Sequence, residues 1–236
     1  DDPSASLLDA LRALEAARPR PDSVIVIDNA PAGRPRPEIL WPDVRWLRNP
    51  RPQSHGRCHN RAIELALHAA RDAQFASAET IVLILTPDVM IDADMLTRLR
   101  RLFEADARIA AVGPVVYRAH VTGSLDEERR EFELSDIVDS AGLALGWFGG
   151  AKTRGQGLKL GDLSDIRVPF GPSPSCFAVR LSALSVMSRQ GPWFRESGSW
   201  EAAVIGLFRG LQAAGCTLAV AKDATAWRLA PRGGVR

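Results

Sequence analysis

Cysteine is scarce in this chain, and its scarcity removes two architectures. Cys58, Cys176 and Cys216 are odd in number and widely separated, so they match neither a disulfide framework nor a paired zinc knuckle. A reducing, cytoplasmic setting fits them best. His55, Cys58 and His59 do cluster, but a zinc site needs a second ligand pair, and none accompanies them. Lysine is nearly missing as well. Of 30 basic residues only Lys152, Lys159 and Lys222 are lysines, and the net charge is +2. That leaves no strong field to gather nucleic acid, so no nucleic-acid partner is expected. Paired arginines such as Arg100-Arg101 and Arg129-Arg130 sit among acids and read as solvated helix faces. Long apolar runs are also lacking, and no basic-then-apolar leader opens the chain; the stretch reads as soluble.

What is present is ordinary globular composition, 46% apolar and 25% charged over 236 residues, enough to bury a core. Leu7, Leu8, Leu11 and Leu14 recur at helical spacing, with Asp2 as a candidate N-cap and Pro3 suited to the first turn. Ser23 to Asp28 is a short β-branched strand of the kind buried on both faces, ending in a carboxylate. The Pro/Gly/Arg stretch 30–37 is a loop, and 44–47 a second strand. Cys58, Ala62, Leu65, Ala66, Ala69 and Ala73 trace one stripe of a helix over 56–73. Ile81 to Leu85 is another buried strand, stopped by Thr86-Pro87-Asp88. Asp92 is placed to cap a helix burying Met95, Leu96, Leu99, Leu102 and Phe103, and 110–117 returns as a strand.

This alternation predicts right-handed crossovers and a mostly parallel central sheet flanked by helices. The stretch 120–170 is Gly-rich and reads as long loops forming a binding surface. Helices are expected over 181–188 and 199–214, then a strand over 217–221. One α/β domain, 1–236, is expected, with a nucleotide-binding half (1–119) and an acceptor-side half (120–236). The apolar cluster Trp193, Phe194 and Trp200 suits a core, an interface or a sugar platform.

Several collinear segments resemble family 2 glycosyltransferases, in particular the rhamnosyltransferase-like branch. Val24-Ile25-Val26-Ile27-Asp28-Asn29 is similar to the strand whose Asp-Asn faces the nucleoside. Asn49 through Gly56 to Asn60 is similar to the following loop and helix start. Leu83-Ile84-Leu85-Thr86-Pro87-Asp88-Val89 resembles the family's version of the Asp-x-Asp motif, and Val112-Gly113-Pro114 follows one helix later. Asp139-Ser140-Ala141-Gly142, Arg154-Gly155-Gln156-Gly157 and Phe170-Gly171-Pro172-Ser173 resemble the acceptor-side segments. The resemblance spans essentially the whole chain and implies a GT-A fold that binds a nucleoside-diphosphate sugar.

It implies Asp28, Asn29, Arg57, Asn60, Asp88 and Arg228 for nucleotide-sugar binding. Asp88 would hold Mg²⁺ or Mn²⁺, and Asp139, Arg154, Gly171 and Ser173 would lie on the acceptor side. Ligands of open parallel sheets sit beyond the strands' carboxyl ends, so Asp28 and Asp88 are expected at one rim. Turn chemistry alone also explains an Asp that closes a strand, and capping or surface pairing also explains Arg57 and Asn60.

Four departures set this chain apart. Pro31 and Gly33-Arg34 follow Asp28-Asn29 where the family has Ser and a further Asp. Thr86 stands where the metal motif usually has Asn. The helix beginning Trp200-Glu201-Ala202 lacks the family's Glu-Asp pair, leaving Glu201 as the substitute base or as a solvated first-turn acid. Arg228 stands where the family often has a metal-binding His; a guanidinium there either neutralises a diphosphate without a metal or marks loss of the metal site. The family's first strand would lie immediately before Asp1. Two functions follow: an inverting transferase acting on a cell-envelope glycan or lipid-linked acceptor, at the inner membrane face by peripheral association, or a degenerate transferase serving as a binding or scaffold module.

Overall fold

The computed structural model describes residues 3–31, 37–39, 41–72, 80–124, 130–146, 150–162, 170–187 and 192–230. The expected cap Asp2, the departures at Gly33 and Arg34, and the end of the 181–188 helix lie outside them. The elements run α1 (Pro3–Ala16), β1 (Val24–Asp28), β2 (Val44–Arg48), α2 (His55–Asp72), β3 (Ile81–Leu85), β4 (Val89–Ile91), α3 (Met95–Ala105) and β5 (Ile109–Ser124). They continue with β6 (Arg130–Ser140), β7 (Leu143–Leu145), β8 (Ala151–Thr153), a 3₁₀ turn at Leu160–Asp162, β9 (Cys176–Arg180), α4 (Leu181–Met187), α5 (Trp200–Ala213) and β10 (Thr217–Ala230).

The central sheet has six strands in the order β3-β9-β5-β10-β4, with β6 also paired to β5. It is mixed, not mostly parallel as expected. Within it only β5 and β10 run parallel, while β3–β9, β5–β9, β5–β6 and β4–β10 are antiparallel. The parallel pair β1–β2 forms a separate sheet. The expectation failed because apolar periodicity reports burial, not strand direction. β9 lay hidden between a loop motif and a helix, and it returns antiparallel against both β3 and β5. The expected loop region 120–170 likewise contains β6, β7 and β8.

β5 is the spine. Its first half pairs with β9 at Ala111 and Val112, and its second half pairs with β6 from Val116 onward. Pro114, which has no N–H to give, falls where one partner leaves and the next begins. Gly113 lets the 172–176 segment close in, since a Cβ there would meet Pro172 Cβ at 2.5 Å and the Cys176 carbonyl oxygen at 2.8 Å.

Two cores sandwich the sheet. Phe177 and Val179 of β9 face α2, α4 and α5, joining Ile63, Leu184, Val204, Leu207 and Phe208. Cys176 and Ala178 face the other way, joining Leu11, Leu14, Met95, Leu99 and Phe103 of α1 and α3. That alternation is the strand period of two. Burial pushes the Cys176 thiol far up, so it packs as a small apolar group. Arg130, expected on a solvated face, instead donates to the buried Asp9 and to Ser6 Oγ, fastening α1 to β6. Asp92 does not cap α3 with its side chain; its Oδ1 accepts from the Asp94 amide and shapes the preceding turn.

The N-termini of α2 and α5 are clamped together. Asn60, buried within α2, accepts from the Phe194 amide and donates to the Phe194 carbonyl, both at 2.9 Å. His59 stacks on Trp200 with ring centroids 4.0 Å apart and donates from Nδ1 to the His55 carbonyl. Trp193, Phe194 and Trp200 are therefore core, at 8%, 0% and 9% exposure, which settles the three alternatives. Gly56 is needed for this close approach, because a Cβ would lie 2.1 Å from the Arg195 carbonyl oxygen.

Asn60→Ala strips both Phe194 backbone groups of their partner, and stability should fall by about 2–4 kcal/mol in urea denaturation. Burial, reinforced by the neighbouring His55 charge, lowers the pKa of His59 despite its bond to the His55 carbonyl. The unfolded chain then binds the proton more readily, so stability should drop as pH falls below about 6.5. Replacing His59 by Phe, which keeps the stack, should flatten that acid limb in thermal melts.

Candidate functional site

Asp88 lies just past β3, and its position is set by β10. The Leu229 amide donates to the Asp88 carbonyl at 2.8 Å, and Arg228 stands opposite Val89 in the β4–β10 register. From there Arg228 Nε donates to Asp88 Oδ2 at 2.8 Å. Arg228 Nη1 also lies 3.7 Å from Asp139 Oδ2 on β6. Arg118, the register partner of Arg228 across the parallel pair, completes the group with Nε 3.9 Å from Asp139 Oδ1. Burial alone would pull the Arg228 pKa down, but the Asp88 and Asp139 charges hold it above its ordinary value. Two carboxylates and two guanidiniums thus meet at one rim, with the Arg228 side chain 48% exposed.

Thr86, noted only as a departure, has a role. Its hydroxyl donates to Asp88 Oδ1 at 2.5 Å and lies 3.3 Å from the Ser175 carbonyl oxygen. Ser173 is buried, with its hydroxyl 2.9 Å from that of Ser175, so this segment backs the Asp88 turn. Gly171 is also buried; a Cβ there would meet the Phe208 ring at 2.3 Å.

The three segments expected on the acceptor side are joined through their backbones. The Ala141 amide donates to the Arg154 carbonyl and the Arg154 amide to the Gly142 carbonyl, both at 2.9 Å. The Leu143 amide in turn donates to the Gly171 carbonyl at 2.8 Å. On the sheet face opposite Arg118 and Arg228, their neighbours Tyr117 and Trp227 line an open cleft of about 610 Å³ rimmed by Asp136 and Lys159.

Asp28 does not join this group by any contact. Its Oδ1 accepts from the Ala30 amide at 2.9 Å, and its Oδ2 accepts from Trp46 Nε1 at 3.2 Å and Arg48 Nε at 2.6 Å. Burial works to raise the Asp28 pKa, but these donors overcome it and hold the carboxyl below its ordinary value. Asn29 is engaged as well. Its Oδ1 accepts from the Gln53 amide and Asn49 Nδ2, and its Nδ2 donates to the Gln53 carbonyl. Asn49 Oδ1 receives Arg61 Nη1 at 2.6 Å, and Asn49 also donates to Cys58 Sγ. Asn60 is occupied by Phe194. Arg57 is exposed in the first turn of α2, and the hydroxyl of Ser54, just before the helix, accepts from the Arg57 amide. Glu201 is exposed in the first turn of α5, with no hydrogen bond or ion pair among the described residues. Arg48 and Arg118 escaped the sequence reading because only strand register reveals their partners.

The residues present do not fit a divalent cation. Asp88 has Thr86 on one oxygen and Arg228 on the other, and the described residues hold no group of three or more His, Cys, Asp or Glu side chains arranged as metal ligands.

No family model matches this chain, and no curated protein matches it. Among solved structures, a crystal structure of GalNAc-T7 with UDP, GalNAc and Mn²⁺ superposes with a TM-score of 0.62 at 12% identity, over 97% of this chain and 41% of that one. The fold matches that of a GT-A glycosyltransferase. The chain therefore spans about two-fifths of that protein, and the likeness concerns the backbone. No described helix is long and apolar enough to cross a membrane.

Asp28→Asn should destabilise the chain by about 1–3 kcal/mol at neutral pH, because the amide keeps only one of the two accepting oxygens and has no charge to pair with Arg48. Because the folded pKa is the lower one, this stabilisation is present above the unfolded value of about 3.9 and lost as pH falls through the folded value. Denaturant titrations of both proteins should therefore differ at pH 7 and converge in strong acid.

Proposed function

We propose that this chain binds a nucleoside-diphosphate sugar at the rim of Asp88, Asp139 and Arg228. It transfers the sugar with inversion to a glycan or lipid-linked acceptor of the cell envelope. The carrying observation is the placement of Asp88 beyond β3, in contact with Arg228 and beside Asp139, within a GT-A-like fold. The collinear motifs favour family 2, in its rhamnosyltransferase-like branch, with the active site on the cytoplasmic side and the chain peripheral to the membrane.

In this reading the acceptor oxygen bonds to the anomeric carbon while the bond to the diphosphate oxygen breaks and its electron pair leaves with the diphosphate. Arg228 and Arg118 meet that charge, and Arg57 approaches it from the α2 N-terminus, where the helix dipole assists. Asp28 and Asn29 act through the rigid turn they hold beside the nucleoside. The paired strands carrying Asp139 and Arg154, with Gly171 and Ser173 behind them, form the acceptor side. Glu201 takes the acceptor proton, the role that needs a carboxylate within reach.

A degenerate transferase acting as a binding module is the second reading. It is favoured by the exposed Glu201 without contact to the rim and by Asp28, Asn29 and Asn60 being engaged internally. Calorimetric titration with UDP, dTDP and GDP, with and without Mn²⁺, separates the readings at the first step. One nucleotide should bind, and Asp88→Ala should weaken it at least about tenfold by removing the acid that orients Arg228. If no nucleotide binds under either condition, the transferase reading fails.

A further inference from the structure

We infer that Arg228, with Arg118 beside it, stands in for a divalent cation, so that the nucleoside diphosphate is held without metal; this rests on the proposed donor site. A cation bound between Asp88 and Asp139 would bring two positive charges to two negative ones. Arg228 and Arg118 bring the same two positive charges to the same two carboxylates, and the group is formally neutral in both cases.

The fold holds this arrangement in place. Arg228 is in register with Val89 on one side and Arg118 on the other, so its backbone is fixed from both edges of β10. Its Nε is directed at Asp88 and its Nη1 toward Asp139, while half the side chain remains accessible. A guanidinium carries five N–H donors in a plane, so beyond the Nε donor to Asp88 and the Nη1 group facing Asp139, the Nη2 donors remain for phosphate oxygens. Thr86 closes the other approach by donating to Asp88 Oδ1. A metal entering beside Asp88 would have to break the Arg228 bond and sit next to a guanidinium held on both flanks, where like charges repel.

The test uses UDP, dTDP and GDP in EDTA and in Mn²⁺, with Mn²⁺ uptake followed separately by the loss of the free-ion paramagnetic resonance signal. The nucleotide that binds should do so within about twofold under both conditions, and the wild-type protein should take up no Mn²⁺ at the site. Arg228→Ala should lose at least about tenfold in EDTA, and Arg228→Lys, which keeps the charge but not the fork, should recover part of that loss. Arg228→His, which adds an imidazole to two carboxylates, should gain Mn²⁺ uptake. Circular dichroism establishes that each variant is folded. Nucleotide binding by the wild type only when Mn²⁺ is present, or Mn²⁺ uptake equal to that of Arg228→His, overturns the inference and leaves the donor site standing. Absence of nucleotide binding in both media overturns both.

Discussion

β10 runs between β5 and β4, parallel to one and antiparallel to the other, and the candidate site is a consequence of that placement. Backbone hydrogen bonds on both edges leave the strand little freedom, and they set residue 228 beside residues 89 and 118 at once. The register shifts between Ala221 and Thr225, so the two halves of β10 meet β5 with different offsets. Bulges of this kind re-aim the side chains that follow. Beyond the bulge, Trp227 and Tyr117 face one side of the sheet while Arg228 and Arg118 face the other. One ladder therefore separates an aromatic cleft from a charged rim.

Among the described residues, the acids drawn away from water are met by arginines. Buried Asp28 has Arg48, buried Asp9 has Arg130, and the partly buried Asp88 and Asp139 share Arg228 and Arg118. The first two pairs are structural, tying β1 to β2 and α1 to β6. A charge taken from water must be paired or hydrogen-bonded to be tolerated. The rim group differs in that the Arg228 side chain is about half exposed. It has the chemistry to meet a phosphate, whereas the structural pairs hold charges already satisfied within the protein.

The two α2 residues Asn60 and His59 extend the same logic to neutral groups. Both face α5 and the 193–196 segment, one by backbone hydrogen bonds and the other by ring stacking. An amide that reads from the sequence as a phosphate contact at a helix start instead fastens α2 to the 193–196 segment. The segment carrying Phe194 lies 134 residues away along the chain, and no local pattern announces it.

Much of the chain was nevertheless legible. Apolar periodicity located α1, α2, α3, α4 and α5 and strands β1, β2 and β3 to within a few residues, because burial of a face is written in local spacing. That Asp28 ends β1 and that Asp88 follows β3 was equally visible. Strand direction was not: a run such as Cys176 to Arg180 is apolar on both faces whichever way its neighbours run. The roles of the polar residues were not legible either. Asp28 and Arg48 are 20 residues apart, and Asp88 and Arg228 are 140 apart; which guanidinium reaches which carboxylate depends on register across strands brought together only by folding. The sequence by itself determined where the helices and most first-half strands lie and which acids end or follow them. Tertiary structure decided the partner of each acid, because hydrogen bonds between distant strands, and not local spacing, set those distances.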